Sequence, residues 1–268
     1  MRTEILVCCH KKEIMPTKPP YLCVHVGKAL HENLDLGIIG DNTGDNISDK
    51  NHNYCELTGM YWAWKNLQDI DIIGLCHYRR YFDLSSTKDQ NREPYHESQK
   101  VPDVNFRVVE DILSKYDIIL PGESFIFDSL WDAYAIEHSR ADLTEVEKAI
   151  EKCSPEYLDA FKIVMHGQNH YSGCNMLICN KKIYDDYCEW LFQILGEAEC
   201  HIDISNYDTY QARIYGFLSE RLLNVYVYYH NFSVCHRPIV SLTEGQTPSR
   251  IKQILHKVKA NLCFKLKY

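Results

Sequence analysis

The chain has 268 residues, 45% of them hydrophobic, and a formal net charge of -8 at pH 7. This length and composition are sufficient for a hydrophobic core and predict one compact globular domain. The acidic balance argues against a nucleic-acid partner, because phosphate backbones are bound by an excess of basic residues. Any anion site in this protein is therefore expected to be local.

The cysteines and the apolar runs indicate the compartment. The chain has 12 cysteines but no C-x-x-C pair, and its amino terminus lacks the pattern of a secretory leader. These features predict reduced thiols in a cytoplasmic protein. No apolar run approaches the roughly 20 residues that a membrane-spanning helix needs. A membrane contact, if there is one, is expected at the protein surface.

The first half of the chain alternates strand-like and helix-like segments. "TEILVCCH" (3–10) predicts a buried strand, and "LGIIGDNTGDNISDKN" (36–51) has the Gly, Asn and Asp content of a loop. Residues 54–66 have the apolar spacing of one amphipathic helix, which precedes the strand "IIGLCHYRRYF" (72–82). Residues 108–123 repeat the order of helix and strand. This alternation predicts an α/β sheet with helices on its faces.

The second half begins with a polar, helix-rich stretch. Residues 125–170 predict a helical insertion, with a helix start at Thr144 and another at Ser154-Pro155. Residues 172–180 then predict a buried strand followed by an amphipathic helix. "YDTYQARIYGFLSERLLNVYVYYH" (207–230) predicts a helix that passes into a strand at its end. No internal repeat interrupts this plan.

Two adjacent arginines follow the strand at residues 72–77. Ligands of open α/β sheets bind beyond the carboxyl ends of the strands, and an arginine fork fits phosphate oxygens. Arg79 and Arg80 are therefore predicted to bind a diphosphate and to stabilise its charge, with His77 and Tyr78 beside them. The alternative is that one arginine pairs with a nearby carboxylate and the other is solvated.

The loop after residue 39 offers a second set of ligand-binding groups. Aspartate and asparagine side chains can hydrogen-bond ribose hydroxyls or a base edge, and such a loop could in principle ligate a divalent cation. We predict that Asp41, Asn42, Asn51 and Glu56 lie on the donor side of a cleft, together with His10 after the first strand. The alternative is a solvated Asx-rich turn. The spacing is not that of a calcium loop, because the later bidentate glutamate is missing.

Acidic residues also cluster in "WDAYAIEHSRADL" (131–143). Asp132 and Glu137 are candidates for a general base toward a hydroxyl group. His138 and Asp142 are spaced i, i+4 on one helix face and are assigned to the acceptor side. The alternative for each of them is solvation at the surface.

Four segments together resemble a family of bacterial capsular-polysaccharide and exopolysaccharide glycosyltransferases, long catalogued only as a domain of unknown function. They are "GDNTGDNISDKNHNYCELTGMYWAWKN", "IGLCHYRRYF", "SGCNMLICNKKIYDDYCEWLFQIL" and "RIYGFLSERLLNVY". The resemblance covers nearly the whole chain from Ile5 to about Pro238. It implies a glycosyltransferase-A-like fold, a UDP-sugar donor of galactose or galactofuranose, and a lipid-linked oligosaccharide acceptor in capsule, exopolysaccharide or O-antigen synthesis.

The same resemblance raises the question of a metal. Most such folds carry an Asp-x-Asp motif after the central strand that holds Mn²⁺ or Mg²⁺ against the diphosphate. His77, Tyr78, Arg79 and Arg80 stand there instead. We therefore predict cationic stabilisation of the leaving UDP by the arginines, and the alternative is a metal held by carboxylates elsewhere.

Two other classes of function compete with a transferase. One is a non-catalytic module that binds a nucleotide sugar or a glycan. The other is a glycoside hydrolase, which would need two opposed carboxylates. Zinc spacings, the P-loop pattern and G-x-S-x-G are not found in the sequence.

The last predicted feature is a basic tail after a catalytic domain of residues 1–240. Residues 249–268 have apolar side chains at helical spacing, and none of them is acidic. The apolar residues are Ile251, Ile254, Leu255, Val258 and Leu262, and the cations are Arg250, Lys252, Lys257, Lys259, Lys265 and Lys267. A basic amphipathic helix of this kind predicts peripheral contact with the inner face of the cell membrane. The alternative is that its apolar stripe packs on the protein or on a second subunit.

Overall fold

The computed structural model describes residues 1–91, 95–243 and 249–268, with the side chain of Arg250 outside this description. The strands are β1 Thr3–Cys9, β2 Tyr21–His25, β3 Ile39–Gly40, β4 Ile72–His77, β5 Arg80–Phe82, β6 Tyr95–Glu97, β7 Ile118–Pro121, β8 Ser124–Phe125, β9 His170–Tyr171, β10 Leu177–Asn180, β11 Val234–Arg237 and β12 Ile239–Ser241. The α-helices are α1 Asn51–Tyr54, α2 Leu57–Asn66, α3 Phe106–Leu113, α4 Leu130–Glu137, α5 Arg140–Cys153, α6 Leu158–Gly167, α7 Lys181–Glu199, α8 Ile214–Tyr229 and α9 Arg250–Lys267. Short 3₁₀ turns lie at Lys28–Leu30, Ser48–Lys50, Pro155–Tyr157 and Gln211–Arg213.

A mostly parallel sheet forms the centre of the protein, with the strand order β11-β7-β10-β4-β1-β2-β3. β4, β1, β2 and β3 are mutually parallel, and β10 is antiparallel to its neighbours β4 and β7. β5, β6 and β12 extend the sheet beyond β4. Helices cover the sheet, so the prediction of a glycosyltransferase-A-like α/β fold is confirmed at the level of architecture.

The apolar runs of β1 and β4 account for their central position. Ile5, Leu6 and Val7 are each at most 1% exposed, as are Ile72 and Ile73 in β4. A strand that is buried on both faces has to be apolar at successive positions rather than at alternate ones. These two runs therefore determine which strands form the middle of the sheet.

Three helices lie where the sequence predicts a helical insertion, and the second of them begins earlier than expected. α4, α5 and α6 lie between β8 and β9, which pair with each other as a two-stranded antiparallel ladder. α5 begins at Arg140, so the predicted start at Thr144 is wrong. The Thr144 hydroxyl donates to the Arg140 carbonyl, which is a contact inside a helix rather than a cap.

Two further boundaries differ from the sequence prediction. Residues 54–66 do not form one helix, because Cys55 has a φ of 52° and separates α1 from α2. The predicted strand at the end of residues 207–230 is helical, since α8 continues to Tyr229. Tyr226 packs against Tyr187 and Trp190 of α7, with ring centroids 5.1 and 5.3 Å apart. This packing between helices outweighs the β propensity of the run.

The tail forms α9, whose apolar stripe faces away from the rest of the described protein. Ile251, Leu255 and Leu262 are 71%, 62% and 58% exposed, whereas Ala260 on the opposite side is fully buried. Packing of this stripe on the chain itself is therefore ruled out within the described residues. No described helix is long and apolar enough to cross a membrane. All twelve cysteines lie in the described ranges and are free thiols.

Candidate functional site

A cleft of about 680 Å³ opens where the carboxyl ends of β1, β2 and β4 meet. Cys8 of β1 is in register with His77 of β4, so the residues that follow both strands reach the same edge of the sheet. The described residues lining the cleft are Cys8, His10, Val26, His31, Asn51, His52, Cys55, Glu56, His77, Tyr78, Arg79, Arg80, Thr209, Arg213, Ser241 and Thr243. Much of this lining is polar, which suits a charged or hydroxyl-rich ligand.

The two adjacent arginines differ in their partners. The guanidinium of Arg79 donates to Glu13 at 2.6 Å, and this hydrogen bond lowers the pKa of the Glu13 carboxyl. Arg80 is exposed and makes no ion pair or side-chain hydrogen bond within the described residues. Arg80 is therefore the one of the pair whose charge is open to a ligand.

A third arginine reaches the cleft from a distant segment. Arg213 immediately precedes α8 and lines the cleft, so the positive end of this 16-residue helix adjoins it. Its Nε donates to Cys55 Sγ at 3.3 Å. Burial raises the pKa of Cys55 to about 11, so the thiol stays neutral. Arg213 has no ion pair among the described residues, and Glu56 is a carboxylate whose charge acts on it. Sequence analysis missed Arg213, although its position at a helix start was a usable signal.

His10, which follows β1, lies in a positively charged environment. Burial lowers the pKa of His10, and the nearby charges of Lys11, Arg213 and Arg79 lower it further. The His10 ring also meets Tyr78 edge to face, at 4.9 Å between centroids. The cleft is thus electropositive in a chain of net charge -8, as a local anion site requires.

The Asx-rich loop contributes one residue to the lining and one to its support. Asn51 lines the cleft, and its amide donates to the Cys55 carbonyl at 2.7 Å. Asp41 is fully buried outside the lining and accepts from the backbone amides of Gly27 at 2.9 Å and Lys28 at 3.1 Å. Asn42 is exposed and is not among the described lining residues.

The glycine held by Asp41 packs directly beneath Asn51. Gly27 has a φ of 70°, and a Cβ there would lie 2.5 Å from Asn51 Oδ1. Only a residue without a side chain fits this turn without strain. Asp41 therefore acts on the cleft through the turn at residues 27–28 rather than by facing it.

Glu56 is the only lining residue with a carboxylate among those described. Its Oε1 accepts a hydrogen bond from Asn175 Nδ2 at 2.7 Å. Asn175 is 1% exposed, has a φ of 51°, and its Oδ1 accepts from Ser219 Oγ at 2.9 Å. The carboxylate is thus held by a buried amide rather than by a cation.

A second carboxylate lies behind Glu56. Glu220 of α8 forms an ion pair with Arg221 at 3.2 Å, and its side chain is 22% exposed. Burial raises the pKa of Glu220, and the negative charge of Glu56 adds to this effect. The Cys174 carbonyl links this region to β4, because it accepts from His77 Nε2 at 2.6 Å.

The four residues predicted in the helical insertion are not among the described lining residues. Asp132 accepts from Tyr268 and pairs with Arg140 at 3.5 Å, and the Tyr268 hydrogen bond lowers its pKa. Glu137 is exposed at the end of α4. A lowered pKa makes a carboxylate a weaker base. The catalytic role of Asp132 and Glu137 stays a prediction.

His138 and Asp142 are occupied by contacts inside the protein. His138 Nδ1 lies 2.9 Å from Gln211 Oε1, and its ring stacks on Phe217 with centroids 4.3 Å apart. Asp142 is 3% exposed and accepts from the Tyr207 hydroxyl at 2.7 Å. Burial raises the pKa of Asp142. Their assignment to the acceptor side stays a prediction as well.

Several lining residues had no usable sequence signal. His31 and His52 face each other with ring centroids 6.3 Å apart, and Thr209, Ser241 and Thr243 come from late segments. None of them belongs to a motif with a known spacing. Their position follows from chain topology alone.

The donor set of the cleft does not match a divalent cation. Mg²⁺ and Mn²⁺ prefer several oxygen ligands, whereas Glu56 is the sole carboxylate among the described lining residues. Within the described ranges no cluster of three His, Cys, Asp or Glu side chains could hold a metal. An Asp-x-Asp spacing does occur at Asp69 and Asp71, but it precedes β4 and lies at the opposite edge of the sheet.

Comparison with known proteins gives one family and one solved structure. The family model described as a domain of unknown function, DUF4422, matches residues 4–231. The solved structure is that of WbbM, a bifunctional glycosyltransferase, with a TM-score of 0.80 and 28% sequence identity. The match covers 91% of this chain and 46% of WbbM, so the chain spans about half the length of this relative. No protein of curated function matches the sequence.

Proposed function

This chain belongs to the DUF4422 family, and we propose that it is a glycosyltransferase whose sugar-nucleotide donor binds in the cleft above β1 and β4. Similarity to a bifunctional glycosyltransferase supports this class of activity. The observation that carries the proposal is the pair of arginines, Arg80 and Arg213, which reach one cleft and form no ion pair among the described residues.

The chemistry of the leaving group explains why these arginines matter. As the bond between the anomeric carbon and the phosphate oxygen breaks, negative charge grows on the diphosphate. Arg80 and Arg213, with the positive end of α8, would stabilise this charge more strongly in the transition state than in the ground state. We therefore assign to arginine the part that a divalent cation plays in many enzymes of this type.

The donor is proposed to be a UDP-hexose, with galactose or galactofuranose as the sugar. Calorimetry with UDP and with UDP-galactose tests the donor, and a thermal-shift screen of nucleotide sugars tests the choice of sugar. We expect UDP to bind and to raise the melting temperature. UDP release that requires a glycan acceptor would separate a transferase from a binding module. Release of sugar from a glycan without any nucleotide would indicate a hydrolase and contradict the proposal.

The acceptor is proposed to be an oligosaccharide carried on a membrane lipid at the cytoplasmic face, which the protein meets through α9. The stripe of this helix is exposed, and Leu266 extends it at 88% exposure. The opposite side is fixed to the protein, since His256 Nε2 donates to the Phe125 carbonyl at 2.7 Å and Asn261 Oδ1 accepts from Asn169 at 3.0 Å. The helix thus presents its apolar face outward.

The positive charge of α9 supports a bilayer as the surface that its apolar stripe contacts. α9 has no acidic residue, and Lys252, Lys259 and Lys265 are exposed along it. Lysines near an anionic membrane contribute about 1 kcal/mol each, and the apolar side chains enter the interface. An acidic protein of this net charge would otherwise be repelled by anionic lipid.

Vesicle binding tests the membrane contact. We expect the full chain to sediment with vesicles of anionic phospholipid and less with zwitterionic vesicles. Serine substitutions at Ile251, Leu255 and Leu262 keep every lysine and should abolish this binding. A protein lacking residues 249–268 is the matched control, and its activity should fall more on a lipid-linked acceptor than on a soluble analogue. Unchanged vesicle binding of the serine variant would contradict the membrane contact. So would a wild-type protein that binds no vesicles and forms a dimer that the serine substitutions dissociate, because the stripe would then pack on a second subunit.

A further inference from the structure

The further inference concerns the carboxylate at the edge of the donor cleft, and it rests on the proposed function. We propose that Glu56 is the general base of the transfer reaction, and that Asn175 is the residue that positions it. Sequence analysis placed Glu56 only on the donor side and looked for the base in the helical insertion.

Location is the first argument for Glu56. A general base has to lie within hydrogen-bond reach of the acceptor hydroxyl as this attacks the anomeric carbon. Glu56 lines the cleft that also holds Arg80 and Arg213, and no other described lining residue has a carboxylate. The base and the cations of the leaving group are thus in one cavity.

The hydrogen bonding of Glu56 is the second argument. Its Oε1 is fixed by Asn175, whereas Oε2 has no hydrogen bond or ion pair among the described residues. One oxygen is therefore held and the other is open to the cleft. An ion-paired carboxylate would be a poorer base, because a neighbouring cation favours the charged form.

The third argument is that hydrogen bonds to α8 hold Asn175 in place. Asn175 Nδ2 donates to Glu56 and also to the Gly216 carbonyl at 3.0 Å, while its Oδ1 accepts from Ser219. Cys174 and Asn175 both adopt the left-handed region, with φ of 67° and 51°. Two consecutive strained residues without a glycine persist only where surrounding contacts hold them, and such strain is frequent at functional sites.

The charged neighbours of Glu56 are compatible with a base that acts while negative charge grows on the diphosphate. Charged neighbours of Glu56 are Glu220 on α8, which lies behind it, and Arg213, at the start of the same helix. The thiols of Cys8, Cys55 and Cys174 also lie near Glu56 and are neutral, because burial raises the pKa of all three.

The proposed step balances in atoms and electrons. The acceptor hydroxyl oxygen forms a bond to the anomeric carbon, and its proton passes to Glu56 Oε2. The bond from the anomeric carbon to the phosphate oxygen breaks, and its electron pair leaves with UDP. Arg80 and Arg213 take up the charge of UDP, and Glu56 returns its proton to solvent after the product leaves.

Glu56→Gln is the variant that tests the base. It keeps the size and the hydrogen-bond acceptor but cannot take up a proton. We expect UDP release from UDP-galactose, with an alkyl galactoside as acceptor, to fall at least about 100-fold, which is within the range for a general base. The dissociation constant for UDP should stay within about threefold. Glu56→Asp should recover part of the rate, and Glu151→Gln, an exposed change elsewhere, should leave it unaltered.

Asn175→Gly tests the positioning role, because glycine tolerates the left-handed backbone but lacks the amide. Loss of this donor favours the protonated carboxyl of Glu56, so the acid limb of the kcat profile should move to higher pH. A purely structural role would lower activity without moving that limb. A folded Asn175→Gly variant with an unmoved limb would overturn the positioning role.

The outcomes separate this inference from the proposed function. Near-normal turnover of Glu56→Gln, or a loss of UDP affinity that accounts for its whole defect, would overturn the base assignment. Collapse of turnover in Asp132→Asn or Glu137→Gln, with Glu56→Gln active, would overturn it in favour of the helical insertion. A wild-type protein that binds neither UDP nor UDP-galactose would instead overturn the proposed function itself.

Discussion

The cleft above β1 and β4 and the helical segment of residues 130–167 carry similar side chains, but these side chains differ in whether they have partners. In the cleft, Arg80 and Arg213 form no ion pair within the described residues, and one carboxylate oxygen of Glu56 has no hydrogen bond there. In the insertion, Asp132 is bound by Arg140 and Tyr268, and Asp142 by Tyr207. A cluster of polar residues in a sequence therefore does not reveal which of them are available to a ligand.

The largest effect is expected from substitution of Arg80 and Arg213, the two cleft arginines that form no ion pair among the described residues. Arg80→Ala and Arg213→Ala should each cost about 3 kcal/mol of transition-state stabilisation, or roughly 100-fold in kcat/KM, because each removes a charge-assisted contact to the diphosphate. Arg80→Lys should rescue little, since a lysine lacks the planar fork. Steady-state kinetics with UDP-galactose measures the effect, and Arg107→Ala on exposed α3 is the control. Near-normal turnover of both alanine variants would contradict the diphosphate role.

Asp41 should affect the fold more than the chemistry. Asp41→Ala removes the acceptor of two backbone amides and of the Ser48 hydroxyl, so we expect about 2 kcal/mol less free energy of unfolding. Urea denaturation measures this loss, and UDP affinity of the folded variant should change little. A variant of normal stability that no longer binds UDP would place Asp41 in the donor site itself.

Arg79 tests the same difference between a paired and an unpaired side chain, because it is adjacent to Arg80 but forms an ion pair with Glu13. Its guanidinium is bound by Glu13 at 2.6 Å near the surface. Arg79→Ala should therefore lower kcat/KM by no more than about threefold, because Glu13 already compensates the charge that is removed and the exposed pair itself contributes little. Steady-state kinetics of Arg79→Ala and Arg80→Ala, measured side by side, test this difference. Equal losses of kcat/KM in the two variants would support the prediction from the sequence that both arginines bind the diphosphate.

The buried carboxylate of the insertion should produce the smallest effect, visible in the pH dependence of stability. Burial raises the pKa of Asp142 in the folded state, so the folded protein binds its proton more tightly than the unfolded chain does. Stability should then fall as pH rises from the unfolded pKa toward the folded one. We compare the free energies of unfolding of wild type and Asp142→Asn across this range. As pH rises, that of the wild type should fall relative to that of Asp142→Asn. A difference that grows as pH falls would contradict this sign.

The sequence alone determined the architecture, because its strongest signals are local. The short apolar runs of β1 and β4, rich in β-branched residues, predicted buried strands, and the alternation of helix and strand indicated the α/β sheet. The same signals led to the prediction that His10, His77 and Arg80, at the ends of β1 and β4, belong to a binding site, and all three line the cleft. Boundaries that depend on packing, such as the break at Cys55 and the helical end of α8, were not determined in this way.

The tertiary structure decided which polar groups meet and which are free. Arg213 and Asn175 lie more than 100 residues after Glu56 in the chain, and no spacing rule connects them. Only the antiparallel pairing of β10 with β4 and the docking of α8 bring them to Glu56. In the same way, Glu13 pairs with Arg79 and Tyr207 donates to Asp142. Propensity acts over a few neighbouring residues, whereas the availability of a charge depends on every group that folding places within about 4 Å of it.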